Sequence, residues 1–326
     1  MDEGKILILG NIPPPIGGVT IHTSRLVDSL KERGYKRFYF LDLRKTSLLS
    51  ILAALMKFPV AHLHTSHVYF QLLASVICLV MKRKLIITYH GNLGRYRTFK
   101  NWVVNLSCRL CYIPVVQNQG SLKIASRLNN RALLLSSFLP TKAFISLDVV
   151  NVVTIVTLKQ QYAYVFCTNA GNVTFDRSGN ETYGILALIQ KFTALPMAAL
   201  IISDPSARYL QYVKKQLTLP GNIIFISTLH NFSDVLTYSD AFIRNTTTDG
   251  DSISIHEAIE SQVPVFATDC VSRPPECMLY HHISEIDLIA ALQPKQQDDQ
   301  KLRLKIRKEE DVAGRLMNLY DQCLST

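Results

Sequence analysis

With 326 residues, 48% of them apolar, the chain is long enough for two domains that each bury a core, which sets aside a largely disordered protein. Its net charge of +10 is unevenly spread: up to Pro140 there are 19 Lys and Arg against 5 Asp and Glu, and beyond it 16 against 20. A basic half of that size calls for an anionic partner, whether nucleic acid, acidic lipid or a phosphate-bearing substrate, and charge alone does not choose among them.

The chain opens Met1-Asp2-Glu3-Gly4 and enters an apolar run from Lys5 to Leu9 that is too short, and too acidic in front, for a secretory signal. No export is expected. Apolar runs at Ile6 to Leu9, Phe38 to Leu41, Ala61 to Leu63, Leu85 to Tyr89 and Ile113 to Val116 predict strands, with amphipathic segments between them. The segment from Thr20 to Arg33 puts Leu26, Val27 and Leu30 on one helical face and stops at Gly34, which suits a left-handed residue past the helix end. Near-continuous apolar strands alternating with helices imply a parallel sheet covered on both faces. Ser47 to Leu55 and Gln71 to Met81 are apolar but well short of the ~20 residues that span a bilayer. They read as core-facing helices or as segments lying on a membrane.

Around Ser136 to Pro140 the periodicity stops, and a second series follows, with strands expected at Val165 to Thr168, Leu200 to Ile202, Ile223 to Ile226, Phe242 to Ile243 and Val265 to Ala267. Helices are expected at Glu181 to Phe192, Arg208 to Leu217, Ser254 to Ser261 and Lys301 to Tyr320. The predicted fold is α/β, with two Rossmann-like doubly wound domains facing a central cleft: residues 1–140, residues 141–300, and a terminal helix from 301–326 packing back across the junction. Ligands of such sheets bind outside the carboxyl ends of the strands, so the site is expected between the domains. Seven scattered cysteines, with Cys108 and Cys111 the one close pair, read as reduced and mostly buried thiols.

Two segments carry the chemistry. Directly after the first strand, Gly10-Asn11-Ile12-Pro13-Pro14-Pro15-Ile16-Gly17-Gly18 ends in two glycines before a helix, where backbone N–H groups at the positive end of the helix dipole can approach a phosphate. A tight strand-to-helix turn would use the same glycines. Later, Arg244-Asn245-Thr246-Thr247-Thr248-Asp249-Gly250-Asp251-Ser252-Ile253-Ser254-Ile255-His256-Glu257 packs acids and hydroxyls between a strand and a helix, the mixture that polyol recognition needs. Ser254-x-x-Glu257 also fits a capping box, in which Glu257 serves only a backbone N–H.

Together with Tyr89-His90-Gly91 and with Val263-Pro264-Val265 after the acidic segment, these stretches resemble glycosyltransferase family 4, of the bacterial surface-polysaccharide type, over nearly the whole chain. The resemblance implies the GT-B fold and transfer with retention of configuration. Its Glu-x7-Glu motif places Asp249 first, on the transferred sugar, and Glu257 second, on the donor ribose. Gly250, Asp251, Ser252, Ile253 and Ser254 would line the donor, the main chain of Ser252 to Ser254 holding the diphosphate, with Gly17 and Gly18 on the facing wall and His90 beside the transferred sugar. Asp249, Glu257 and His90 are therefore the expected catalytic residues. The family's diphosphate-binding lysine has become Tyr183, and Arg177 or Arg244 is expected to replace its charge. Asn245 and His256 also depart from the usual proline and arginine.

The implied reaction moves a sugar from a nucleotide-diphosphate sugar to a lipid-linked or oligosaccharide acceptor, on the cytoplasmic side and against an anionic membrane surface. No cofactor or metal is expected, the nucleotide sugar being a substrate. Asp249-Gly250-Asp251 does spell the Asp-x-Asp that holds a divalent ion in single-domain glycosyltransferases. A retaining hydrolase would also place two carboxylates near a sugar. Tyr183 motivates a further alternative, a non-catalytic subunit that scaffolds or activates another glycosyltransferase. Nucleic acid is not an expected partner, because no recognition module is present.

Overall fold

Residues along the first strand alternate sides, and both sides are apolar, so the strand must lie inside a sheet covered twice. The computed structural model, which describes residues 4–140, 145–292 and 311–325, shows this arrangement in each of two units. One unit comprises Met1–Lys142 with Glu310–Thr326, and the other Ala143–Glu309.

The first unit holds strands β1 (Ile6–Gly10), β2 (Phe38–Asp42), β3 (Val60–His64), β4 (Lys84–Tyr89), β5 (Ile113–Val116) and β6 (Leu133–Leu134), all parallel, in the order β2-β1-β3-β4-β5-β6. Ile6 of β1 stands opposite Phe38 on one side and Val60 on the other. Leu7 and Leu9 join one core with residues of α2 (Leu48–Lys57), α3 (Val68–Val80), α4 (Thr98–Leu110) and α5 (Gln119–Leu128). Ile6 and Ile8 point the other way, onto α1 (Gly18–Glu32) and the terminal helix. Past α1, Gly34 has φ +68°, and Tyr35 N donates to Leu30 O at 2.9 Å, the left-handed ending that its position predicts.

The second unit holds β7 (Tyr164–Asn169), β8 (Ala198–Ser203), β9 (Ile223–Ile226), β10 (Ala241–Arg244), β11 (Val265–Thr268) and β12 (Cys277–Tyr280), in the order β12-β11-β10-β7-β8-β9. Numbered from β7, this is the dinucleotide-binding order 6-5-4-1-2-3. Helices α7 (Ile185–Thr193) and α8 (Arg208–Lys214) cover one face with Phe166, Leu200 and Ile243. On the other face, α6 (Val149–Gln161), α9 (Phe232–Leu236) and α10 (Ile253–Glu260) pack on Val165, Cys167 and Phe242.

All ten expected strands are present. The structure adds β6, β12 and α6. The terminal helix is α11 (Val312–Ser325), which packs on the first unit through Leu316 and Tyr320; residues 301–310, where it was expected to begin, lie outside the described residues. Six cysteines are buried and Cys270 is exposed, all as free thiols. Among the described residues, no helix is long and apolar enough to cross a membrane.

Candidate active site

In the second unit the sheet reverses between β7 and β10, so connections leave these two strands in opposite directions and open a crevice at their carboxyl ends. Asn169 and Arg244 terminate the two strands. Arg244 Nη1 donates to Asn169 Oδ1 at 3.1 Å, and its guanidinium grips Asp249 in a fork, Nε to Oδ2 at 2.9 Å and Nη2 to Oδ1 at 3.1 Å. Asp249 Oδ2 also accepts from Arg273 Nη1 at 2.8 Å and from Thr246 Oγ1 at 3.4 Å, and Oδ1 from Gly250 N at 3.0 Å. A carboxylate has about four lone-pair directions, and these donors fill them. Asp249 is thus surrounded by donors of the protein itself. Two arginines occupy its carboxylate and make it the anion that holds them together.

Burial opposes the charge on Asp249, but Arg244 and Arg273 outweigh it and hold the carboxyl well below the usual range. Burial likewise opposes the charge on Arg244, and Asp249 more than restores it, raising the guanidinium above its ordinary value. Two guanidinium groups around one carboxylate leave a surplus of one positive charge. Tyr183 lies beneath, its ring centroid 5.2 Å from Arg244 Cζ. The residue in the lysine position therefore supplies a π face to a neighbouring cation. Of the two candidates for the missing charge, Arg244 is at this cluster; Arg177 is exposed in a turn closed by Asp176, which accepts from Ser178 N at 2.8 Å and Asn180 N at 2.9 Å.

The helix that follows is held to the same spot, for Asn169 Nδ2 donates to Ser254 Oγ. Ser252 is the N-cap of α10, and its hydroxyl is buried with no hydrogen-bond partner within the protein. Ser254 lies inside the helix with its hydroxyl on Asn169, so the alternative use of Ser254 and Glu257 as a capping box is not realised. Ile255 N and His256 N turn back to Ser252 O at 3.1 and 3.4 Å, whereas the N–H groups of Ile253 and Ser254 have no intrahelical acceptor by position. Glu257 lies one turn into α10 and is buried. Asp251 Oδ1 pairs with His256 Nε2 at 2.6 Å. With Asp249 held by arginines and Asp251 by a histidine, Asp-Gly-Asp is not the open oxygen set a divalent ion requires. A cavity of about 830 Å³ also adjoins this region, lined by Gly184, Asn245, Thr246 and Cys270 but not by Ser252 to Ser254.

In the first unit the order reverses between β1 and β3. A Cβ on Gly18 would meet nothing within 4 Å and one on Gly17 only Thr20 Oγ1 at 3.9 Å, so neither glycine serves to avoid a clash inside the protein. Gly10 differs, since its Cβ would meet Thr23 Cγ2 at 2.8 Å. Arg44 donates to the carbonyls of Ile12 and Pro14 and pins the proline segment. His90, just past β4, meets His64 at the end of β3, with Nε2 and Nδ1 3.2 Å apart. His22 of α1 stands beside both, its Nδ1 2.8 Å from Ser137 O. Burial, reinforced by the neighbouring imidazoles, pushes His64 and His90 well below the usual histidine value and keeps them neutral.

Sequence reasoning missed Arg273, Asn169, His22 and His64. Arg273 reaches Asp249 from the loop after β11, and only the neighbouring of β10 and β11 in the sheet reveals it. His62-Leu63-His64 is a signal that was available, because alternate residues of a strand share a face; the two rings lie 4.1 Å apart.

No protein-family profile matches the chain, and no curated protein matches it in sequence. It is similar in structure to Anabaena HepE, solved in complex with UDP, at 14% identity and a TM-score of 0.63, covering 98% of this chain and 95% of that one. Sucrose-phosphate synthase from Thermosynechococcus elongatus, 14% identical, matches at a TM-score of 0.68 over 98% of this chain and 99% of its own. WaaG, a glycosyltransferase involved in lipopolysaccharide biosynthesis, matches at 0.61 and 10% identity over 97% and 99%. At these identities the likeness speaks for the fold: two α/β units built on parallel six-stranded sheets, the GT-B class.

Proposed function

We propose that this chain is a retaining glycosyltransferase that moves a sugar from a nucleotide-diphosphate sugar to a lipid-linked saccharide acceptor in surface polysaccharide synthesis. The observation that carries this reading is the junction of β10 and α10, where a helix start and two buried arginines supply N–H donors and one surplus positive charge. A departing nucleoside diphosphate needs both. Structurally similar proteins hold UDP in HepE and ADP with acarbose in the catalytic domain of Arabidopsis starch synthase IV, which supports a nucleoside diphosphate here.

As the bond between sugar and diphosphate lengthens, negative charge grows on the leaving phosphate. The amides of Ile253 and Ser254 and the Ser252 hydroxyl stabilise it, with Gly250 and Asp251 shaping the approach. The acceptor oxygen attacks on the face the phosphate is leaving, and a phosphate oxygen takes the acceptor's proton. Configuration is retained without a side-chain nucleophile. Glu257 holds the donor ribose, and Asp249 keeps Arg244 and Arg273 in register. Gly17 and Gly18 leave room for ligand at the carboxyl edge of the first sheet, and His90 borders the transferred sugar through its main chain. The arginine charge makes a metal ion on the diphosphate unnecessary.

The acceptor side supports a membrane. Leu49 on α2, Val80 on α3 and Trp102 on α4 are 79%, 73% and 58% exposed, and exposed Lys57, Lys82, Arg97 and Lys100 lie on or flank these helices. Apolar side chains among basic ones suit the anionic inner face of a plasma membrane.

Incubation of the purified chain with radiolabelled nucleotide sugars and extracted lipid acceptors tests the proposal. Transfer lowered about 10²–10³-fold by Arg273→Met is the expected result; release of free sugar without transfer would refute it. Tyr183 in the position of the family's lysine favours a second reading, a non-catalytic subunit of another glycosyltransferase. Nucleotide binding with no turnover on any donor would identify that case.

A further inference from the structure

The carboxyl edge of the first sheet gathers three histidines from three elements: His22 in α1, His64 at the end of β3 and His90 after β4. Their ring centroids form a nearly equilateral triangle with sides of 5.3, 5.0 and 5.4 Å. Three imidazoles around one tetrahedral ion, with metal–nitrogen bonds of ~2.0–2.1 Å, place ring centres ~5.2 Å apart and nitrogens ~3.3 Å apart. His64 Nδ1 and His90 Nε2 are separated by 3.2 Å, and one nitrogen of each ring lies within 4.8 Å of the other two. We infer that His22, His64 and His90 bind a divalent transition-metal ion of the zinc type, leaving a fourth position for water or a substrate oxygen.

The surroundings fit such an ion. Imidazole ligands in metal sites hand their second nitrogen to a carbonyl or carboxylate, which fixes the tautomer. His22 Nδ1 does so with Ser137 O at 2.8 Å, which leaves Nε2 its lone pair. His90 Nδ1 faces the Gln117 amide at 3.5 Å, and that amide, turned to present its oxygen, frees Nε2 in the same way. His64 would ligate through Nδ1, the nitrogen that faces His90, while its buried Nε2 has no partner within the protein. Three neutral nitrogen donors select zinc, cobalt, nickel or copper over magnesium or calcium. The inference concerns the first unit alone and does not depend on glycosyl transfer.

The test titrates the full chain, stripped with a chelator, with Co²⁺ and then Zn²⁺. One equivalent of Co²⁺ should develop the intense visible bands of a four-coordinate site and be displaced by Zn²⁺. Gln117→Leu should weaken binding about 10–100-fold, and His64→Ala should abolish it. His281→Ala, at an exposed histidine of the second unit, should bind as the parent does. Absence of the bands in the parent chain overturns the inference, as does unchanged binding in His64→Ala. Circular dichroism of the metal-free variants excludes misfolding, and if His64→Ala does not fold, the parent titration and Gln117→Leu decide.

Discussion

Asp249→Asn keeps the shape of the side chain and deletes its charge. Arg244 and Arg273, with side chains 11% and 1% exposed, are then left as like charges without their shared anion. At a separation of ~4 Å and an effective dielectric constant of ~20, each ion pair is worth ~4 kcal/mol before desolvation. Removing one partner of a buried pair costs about 3–5 kcal/mol in practice, and asparagine, which still offers one acceptor oxygen, should fall at the lower end. That is a large share of the roughly 5–15 kcal/mol that holds a typical protein folded. The assay is urea unfolding of parent and variant across pH. The folded pKa of Asp249 is depressed from 3.8, so its contribution is complete above that value and is lost as pH falls through the folded pKa. The gap between the two proteins should therefore be flat above about pH 5 and narrow in acid. A variant as stable as the parent at neutral pH, with only a raised KM for the donor, would refute the reasoning, for it would mean the carboxylate faces a sugar.

Three further outcomes follow from the geometry. Gly18→Ala places its methyl in open space and should leave the urea midpoint unchanged or higher while weakening nucleotide-sugar binding in calorimetry; Gly10→Ala, which drives a methyl into Thr23, should lower the midpoint instead. Gly184→Ala should cost about 1–3 kcal/mol in the same unfolding assay, because φ there is +54° and the new Cβ would press on Asn245. Trp102→Glu should reduce flotation with anionic liposomes at least about tenfold, the worth of one large side chain withdrawn from the interface, and flotation indifferent to acidic lipid would exclude the proposed membrane face.

Strand runs such as Ile6 to Leu9 were legible because strands buried on both faces admit little but apolar residues. What escaped shows the limits of that signal. β6 is two half-buried residues, and β12, at the sheet edge, leaves Leu279 53% exposed, so neither forms an apolar run. α6 reads Val-Val-Asn-Val-Val-Thr-Ile-Val-Thr, a β-branched run that suits a strand, and it buries only Ile155 and Leu158 while Val149 and Val150 are 76% and 75% exposed. At the candidate site, the stretch from Arg244 to Glu257 stood out because its polar residues are contiguous. Arg273 and the two further histidines come from distant segments, and only the order of strands in each sheet brings them in. The task of Asp249 was invisible for the same reason.

The terminal helix α11 completes the layer over Ile6, Ile8 and Val60, and its Tyr320 hydroxyl sits 2.6 Å from His62 Nδ1. Asp311 and Asp321 add ion pairs to Arg33 and Arg37 at 2.8 and 2.9 Å. Residues far apart in the chain, Ile6 and Ile8 on one side and Leu316 and Tyr320 on the other, thus share one layer. During synthesis the flank of β1 and β3 that α11 covers stays open until the intervening second unit has been made.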